Sequence, residues 1–174
     1  MISTRLLLLL ALAPALGFAP ASARAQVSEA AVKAAFIPKI ARYVDWPART
    51  VAPGAPLQIC IVGNDPFGRL IDEAVTGQSQ GDHAMLVRRG DSIDRCQIAF
   101  LGGNAAPRAM AILKGRPVLT VTDSRDGPTR GMIHFALKGG RVSFHIDDAQ
   151  AAQSGITISA RLLAIALSVR ARNQ

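Results

Sequence analysis

The chain has 174 residues, a formal charge of +8 and two cysteines. That size suits one domain with a sizeable core and leaves little room for two. Its basic residues are scattered, with Arg88-Arg89 the one adjacent pair beyond the leader and no aromatic ladder beside it, a pattern that excludes a single-strand nucleic-acid platform.

The first 25 residues read as an export signal. Arg5 gives a positive start, Leu6 to Leu12 form an apolar run, and Ala23-Arg24-Ala25 supplies the small residues of a cleavage site. Pro14, Gly17 and Pro20 interrupt the apolar stretch, which is shorter than the ~20 residues of a spanning helix. The expectation is therefore a leader at 1–25, cleaved near Ala25, a domain at 26–174 that is not itself membrane-spanning, and a location outside the cytoplasm. Loss of Arg5 and Arg24 with the leader takes the charge to +6, which favours acidic protein faces or anionic head groups as partners and not nucleic acid.

Ser28 is placed to cap an amphipathic helix from about Ser28 to Tyr43, with Val32, Phe36, Ile40 and Val44 as its apolar stripe. Pro38 should kink or divide it, and Asp45-Trp46-Pro47 should end it. Leu57 to Val62 reads as a strand. Gly63 to Gly68 reads as a turn, and Arg69 to Val75 as a helix with Asp65 as cap and Pro66 in the first turn. Strands follow at Ala84 to Arg88, Ile98 to Leu101 and Val118 to Val121, with a helix near Pro107 to Leu113 between the last two.

Met132 to Leu137 and Arg141 to Ile146 flank Lys138-Gly139-Gly140, a hairpin signal. A turn at Gly139-Gly140 sets Leu137 against Val142, Phe135 against Phe144 and Ile133 against Ile146 on a core face. The opposite face carries His134, Lys138, Arg141, Ser143 and His145. Asp147 caps a short helix to Gln153, Gly155 ends it, and Ser159 opens a last helix with Leu162, Leu163, Ala166 and Val169 as its buried stripe. The alternation of elements makes the fold class α/β: a single compact domain with a mixed, mostly parallel sheet, flanking helices and a C-terminal β-hairpin plus helix.

Export makes a Cys60–Cys96 disulfide the default fate of the pair; the alternative is two small buried apolar side chains that never meet. The Gly63–Gly68 turn sits where a strand-to-helix junction can hold an anion, yet it has neither a Walker motif nor G-x-G-x-x-G, and Asp65 opposes an anion. It reads as a capped turn. His134 and His145 face each other across the hairpin, with Asp147 diagonal, but two histidines do not complete a metal cage; a partly exposed polar pair is the better account, and no metal is expected. Asp123, Arg125 and Asp126 lie in the 123–131 loop, where open α/β sheets often bind ligands and where any long loop is also solvated. Candidate ligand- or partner-contacting residues are Asp65, Phe67, Asp123, Arg125 and Arg130. No G-x-S-x-G elbow and no matched nucleophile and base occur, so no catalytic residue and no cofactor is expected.

Several blocks bring a family into view: Tyr43-Val44-Asp45-Trp46-Pro47, Ile59-Cys60-Ile61-Val62-Gly63 with Asp65-Pro66-Phe67-Gly68, Cys96-Gln97-Ile98-Ala99-Phe100, Gly131-Met132-Ile133-His134-Phe135, and Gly140-Arg141-Val142-Ser143-Phe144-His145-Ile146 with Gly155-Ile156-Thr157-Ile158-Ser159. In order and spacing they resemble the YfiR family of periplasmic proteins across nearly the whole chain after the leader. The resemblance implies a non-enzymatic repressor that binds the periplasmic region of a membrane diguanylate cyclase or a sensor protein. Its effect would be lower cyclic-di-GMP and less biofilm. It also implies a homodimer and a stability governed by redox state. Cys60 and Cys96 match family cysteines, whereas a more C-terminal pair of some members has no counterpart. Pro38 and Asp147 also depart from the family pattern. A rival reading is a periplasmic small-ligand sensor, with the 63–68 turn and the 123–131 loop lining its pocket.

Overall fold

A computed structural model describes residues 28–172; the leader and its cleavage point near Ala25 lie outside the described residues. Helix α1 (Glu29–Ala41) starts where Ser28 Oγ accepts from the Ala31 N–H. Pro38 does not divide it. The proline lies in the buried stripe with Ala34, Ile37 and Ala41, and only one turn follows it, so the bond it cannot donate is the sole local loss. The stripe is thus rotated from the expected one: Val32 and Phe36 are only partly buried. The helix also ends earlier than expected, because Val44–Asp45 forms strand β1.

Strand β2 (Leu57–Gly63) leads to α2 (Arg69–Val75), and β3 (Ser79–Gln80) and β4 (His83–Arg89) follow. Asp65 caps the turn before α2 and not the helix itself, since its Oδ1 accepts from the N–H groups of Phe67 and Gly68. Next come β5 (Ile98–Gly102), α3 (Ala106–Leu113) and β6 (Leu119–Asp123). The hairpin is β7 (Ile133–Lys138) and β8 (Arg141–Asp147), and its register is the expected one, from Ile133 opposite Ile146 to Lys138 opposite Arg141. Gly139 and Gly140 both have positive φ, as a two-residue hairpin turn of this type requires. Asp147 Oδ1 accepts from the Gln150 N–H and caps α4 (Asp148–Gln153).

After α4, β9 (Thr157–Ile158) pairs with β1. The expected last helix shrinks to α5 (Ala160–Leu163), and residues beyond it form β10 (Ser168–Arg170) beside β8. Leu162 is buried as expected, but Val169 is exposed in the strand. The open edge of β8 explains the change, because a strand satisfies its unpaired backbone groups and a helix would leave them bare. Leu167 N–H donates to Phe144 O as the pairing begins.

The eight-stranded sheet runs β10-β8-β7-β6-β5-β2-β4-β3, parallel except for β7–β8 and β3–β4. The fold is therefore the expected α/β domain with a mostly parallel sheet and flanking helices. β5 and β6 are buried along their whole length, as strands covered on both faces must be. One face packs against α1 and α2 through Ile37, Ile71, Phe100 and Phe135. The other packs against α3 through Ala99, Leu101, Ala109 and Leu113, and includes the Cys60–Cys96 disulfide.

The disulfide closes a loop across a sequence separation of 36, a constraint worth roughly 3–4 kcal/mol in the chain-entropy model. Reduction, or the Cys60→Ala/Cys96→Ala double substitution, should lower the free energy of unfolding by about that amount in urea titration. An unchanged midpoint would show that the bridge contributes nothing to stability.

Candidate functional site

In a doubly wound sheet, ligands enter where successive connections leave in opposite directions at the carboxyl ends of the strands. Here that point lies between β2, which connects by α2 to β4, and β5, which connects by α3 to β6. The chain itself fills the crevice. A Cβ on Gly63 would lie 2.4 Å from Gly102 O, and one on Gly102 would lie 2.1 Å from Asn64 O. The glycines thus permit a close backbone contact between the turn after β2 and the end of β5.

The turn and the 123–131 loop do meet, through Asn64 Nδ2 and Asp126 Oδ1 at 3.4 Å. Within the turn, Asp65 is engaged on both oxygens: Oδ1 takes the two backbone N–H groups, and Oδ2 accepts from Arg89 Nε at 2.8 Å. Arg89 also pairs with Asp72 at the far end of the first turn of α2. Phe67 is buried, its ring 4.7 Å from that of Phe100 in an edge-on contact. Its place beside Asp65 in a glycine-bounded turn suggested a contact residue, but the turn folds it inward.

Asp123 is not a solvated loop residue. It ends β6, is 4 % exposed, and forms an ion pair with Lys33 of α1, itself 2 % exposed. Lys33 also bonds Glu29 one turn earlier. Arg125 closes the set with a two-point contact to Glu29, at 2.8 and 2.7 Å, while its N–H donates to Asp123 Oδ1 at 3.0 Å. Two cations and two carboxylates thus balance. The hydrogen bonds of Arg125, then those of Lys33, pull the Glu29 carboxyl down to about 2. Sequence reasoning missed Lys33 and Glu29, although Lys33 recurs with Ile37, Ile40 and Val44 along one helical face, a charge inside an apolar stripe.

His134 and His145 do face each other, with ring centroids 6.3 Å apart. The expected partly exposed pair is corrected for His134, which is 4 % exposed. Its Nδ1 meets Thr122 Oγ1 at 2.9 Å, and the same hydroxyl accepts from the Gly131 N–H. His145 Nδ1 meets Ser168 Oγ at 2.7 Å, and Asp147 is held by Arg170. Each imidazole has its own neutral partner, and among the described residues no group of three or more metal-binding side chains gathers. Burial, reinforced by the charge of exposed Arg130 and by His145, lowers the pKa of His134.

A family model matches residues 30–167, from the first turn of α1 to the approach to β10. The chain belongs to the YfiR/HmsC-like family. That family is periplasmic and regulatory rather than catalytic, and membership supports a regulator of cyclic-di-GMP signalling. The disulfide fits the oxidising compartment in which the family works. Among the described residues no helix is long and apolar enough to cross a membrane. Comparison with curated proteins finds no match.

The Lys33 cluster should behave as a clamp between α1 and β6. Lys33→Met, which strands Asp123 in the interior, should cost about 3–5 kcal/mol, and Lys33→Met/Asp123→Leu should recover most of it; a double variant no better than the single would refute pairwise compensation. The depressed pKa of Glu29 stabilises the fold above the ordinary value of 4.5, and that contribution disappears as pH falls through about 2. Wild type should therefore lose its stability advantage over Glu29→Gln across that window in thermal melts. His134 has the same sign for a different reason: it is buried neutral, so stability should decline as pH falls below 6.5. NMR titration should show its ring protonating below that value, and a normal titration would contradict the assignment.

Proposed function

We propose that the protein is a periplasmic inhibitor of a membrane diguanylate cyclase, exported with removal of residues 1–25, that acts by direct contact with the cyclase's periplasmic region and so lowers cyclic-di-GMP and biofilm formation. The observation that carries the contact is an apolar groove of about 350 Å³ between α1 and α5, lined by Phe36, Ile40, Tyr43, Leu162 and Ile165. Ile165 is 67 % exposed and Tyr43 41 %, an unusual display for large side chains on one small surface. Lys39 and Arg42 also line it, so the fitting partner surface has an apolar anchor with acidic residues around it. The Lys33 cluster and the two histidines are each engaged with partners inside the fold, and the exposed groove is the feature that supports a reading by contact.

The homodimer implied by the family resemblance belongs to this reading, and sedimentation of the exported form tests it. Loss of the gene should raise cyclic-di-GMP and biofilm. Ile165→Glu should weaken capture of the cyclase's periplasmic segment by about tenfold or more while leaving the melting temperature unchanged. Full inhibition by Ile165→Glu would place the contact elsewhere, and unchanged cyclic-di-GMP on deletion would end the proposal.

A further inference from the structure

A second concave surface lies on a different part of the molecule, at the amino ends of β2 and β5, and nothing in the inhibitory reading uses it. It is a cavity of about 470 Å³ whose lining includes Arg49, Arg88 and Arg95 and no carboxylate. Val51, Ala52 and Pro56 give it an apolar wall. The nearest acidic residue in sequence, Asp94, turns its carboxylate to Ser92 Oγ at 3.4 Å.

Two features mark this cavity as built and not incidental. Arg49 and Arg95 are the two non-glycine residues with positive φ among those described, at 71° and 60°. Arg49 occupies the third position of a turn closed by Thr50 N–H and Pro47 O at 3.1 Å, a place that calls for glycine or asparagine. Backbone strain of this kind persists where surrounding structure enforces it, and it concentrates at ligand sites. Both strained arginines belong to the lining of one cavity, and neither side chain has a hydrogen-bond or ion-pair partner among the described residues.

The walls are also fixed in advance. Gln97 is buried and pins the Arg49 loop to the sheet: its Oε1 accepts from Gln58 N–H at 2.8 Å and its Nε2 donates to Thr50 O at 3.3 Å. Trp46 Nε1 donates to Gln97 O from behind. Arg88 is fastened through Nη2 to the Ser92 and Asp94 carbonyls and lies 3.4 and 3.6 Å from the two disulfide sulfurs. The remaining guanidinium nitrogens of Arg88 have no partner among the described residues.

From this we infer that the Arg49–Arg88–Arg95 cavity binds a small organic anion, a phosphate monoester or carboxylate whose apolar body rests on the Val51–Pro56 side. Guanidinium forks suit both oxyanions, and the apolar wall selects against the bare ion. The site does not depend on the cyclase reading, since it shares no residue with the α1–α5 groove.

Calorimetric titration of the exported protein with phenyl phosphate, benzoate and inorganic phosphate tests the inference. Phenyl phosphate or benzoate should bind with micromolar to low-millimolar Kd, the tighter of the two naming the acid group, and inorganic phosphate more weakly. Arg49→Asn/Arg95→Asn should weaken binding more than about tenfold while the melting temperature holds or rises, because asparagine accepts positive φ. Arg108→Asn, a basic residue of α3 outside the cavity, should leave binding unchanged. No binding of either organic anion at millimolar concentration would overturn the inference. So would equal weakening by Arg108→Asn, which would mark a response to net charge alone.

Discussion

Everything in this fold follows from a central sheet that must be hidden on both faces. β2, β5 and β6 run parallel; β5 carries apolar residues on successive positions and β6 buries its threonines and Asp123 as well as Leu119 and Val121, so neither side of the sheet meets water there. The two coverings are unequal. One face has α1 and α2 and a core that continues through the aromatic contacts of Phe36 with Phe135 and Phe144. The other has α3, the loop before β5 and the disulfide. A covalent tie on the thinly covered face compensates for apolar area that a single eight-residue helix cannot supply.

Charge reinforces the same geometry. Lys33 and Asp123 join α1 to the end of β6, Arg89 joins β4 to the turn before α2, and Arg170 and Arg172 join β10 to Asp147 and Asp148. Each ties a helix or an edge element to the carboxyl ends of strands or to the strand order around them. Such pairs contribute little when exposed and matter most when buried, because the penalty for an unpaired charge rises as water is excluded. The arginines of the Arg49 cavity contrast with these, since their charge is left available.

Elements set by local chemistry were readable from the residues: the Ser28 and Asp147 caps, the Gly139-Gly140 turn with the register it imposes, and the strand-turn-helix from Leu57 to Val75. What escaped was decided by distant partners. Val169 joins a strand because the edge of β8 lies beside it, a fact of tertiary pairing that helical periodicity does not carry. The stripe of α1 turned because Lys33 finds Asp123 ninety residues away, so a charge took a place that hydropathy reserves for an aliphatic side chain. His134 looked solvent-facing for the same reason, since the alternation of a strand separates two faces without saying that both are covered. The candidate contact residues Asp123 and Phe67 proved internal, whereas the groove at Tyr43 and Ile165 needed α1 and α5 to be side by side before it existed.

The position of β10 bears on what the edge of the sheet would otherwise expose. Residues 168–170 lie parallel to β8 and supply the edge that the hairpin otherwise leaves open. Without this segment the outer strand of the sheet has no neighbour, and Asp147 and Asp148 lack the arginines that neutralise them. The closing strand therefore acts as both cover and counter-charge for that side of the sheet. A chain lacking this strand would show a bare edge flanked by two uncompensated carboxylates, the kind of surface on which a second sheet can add itself.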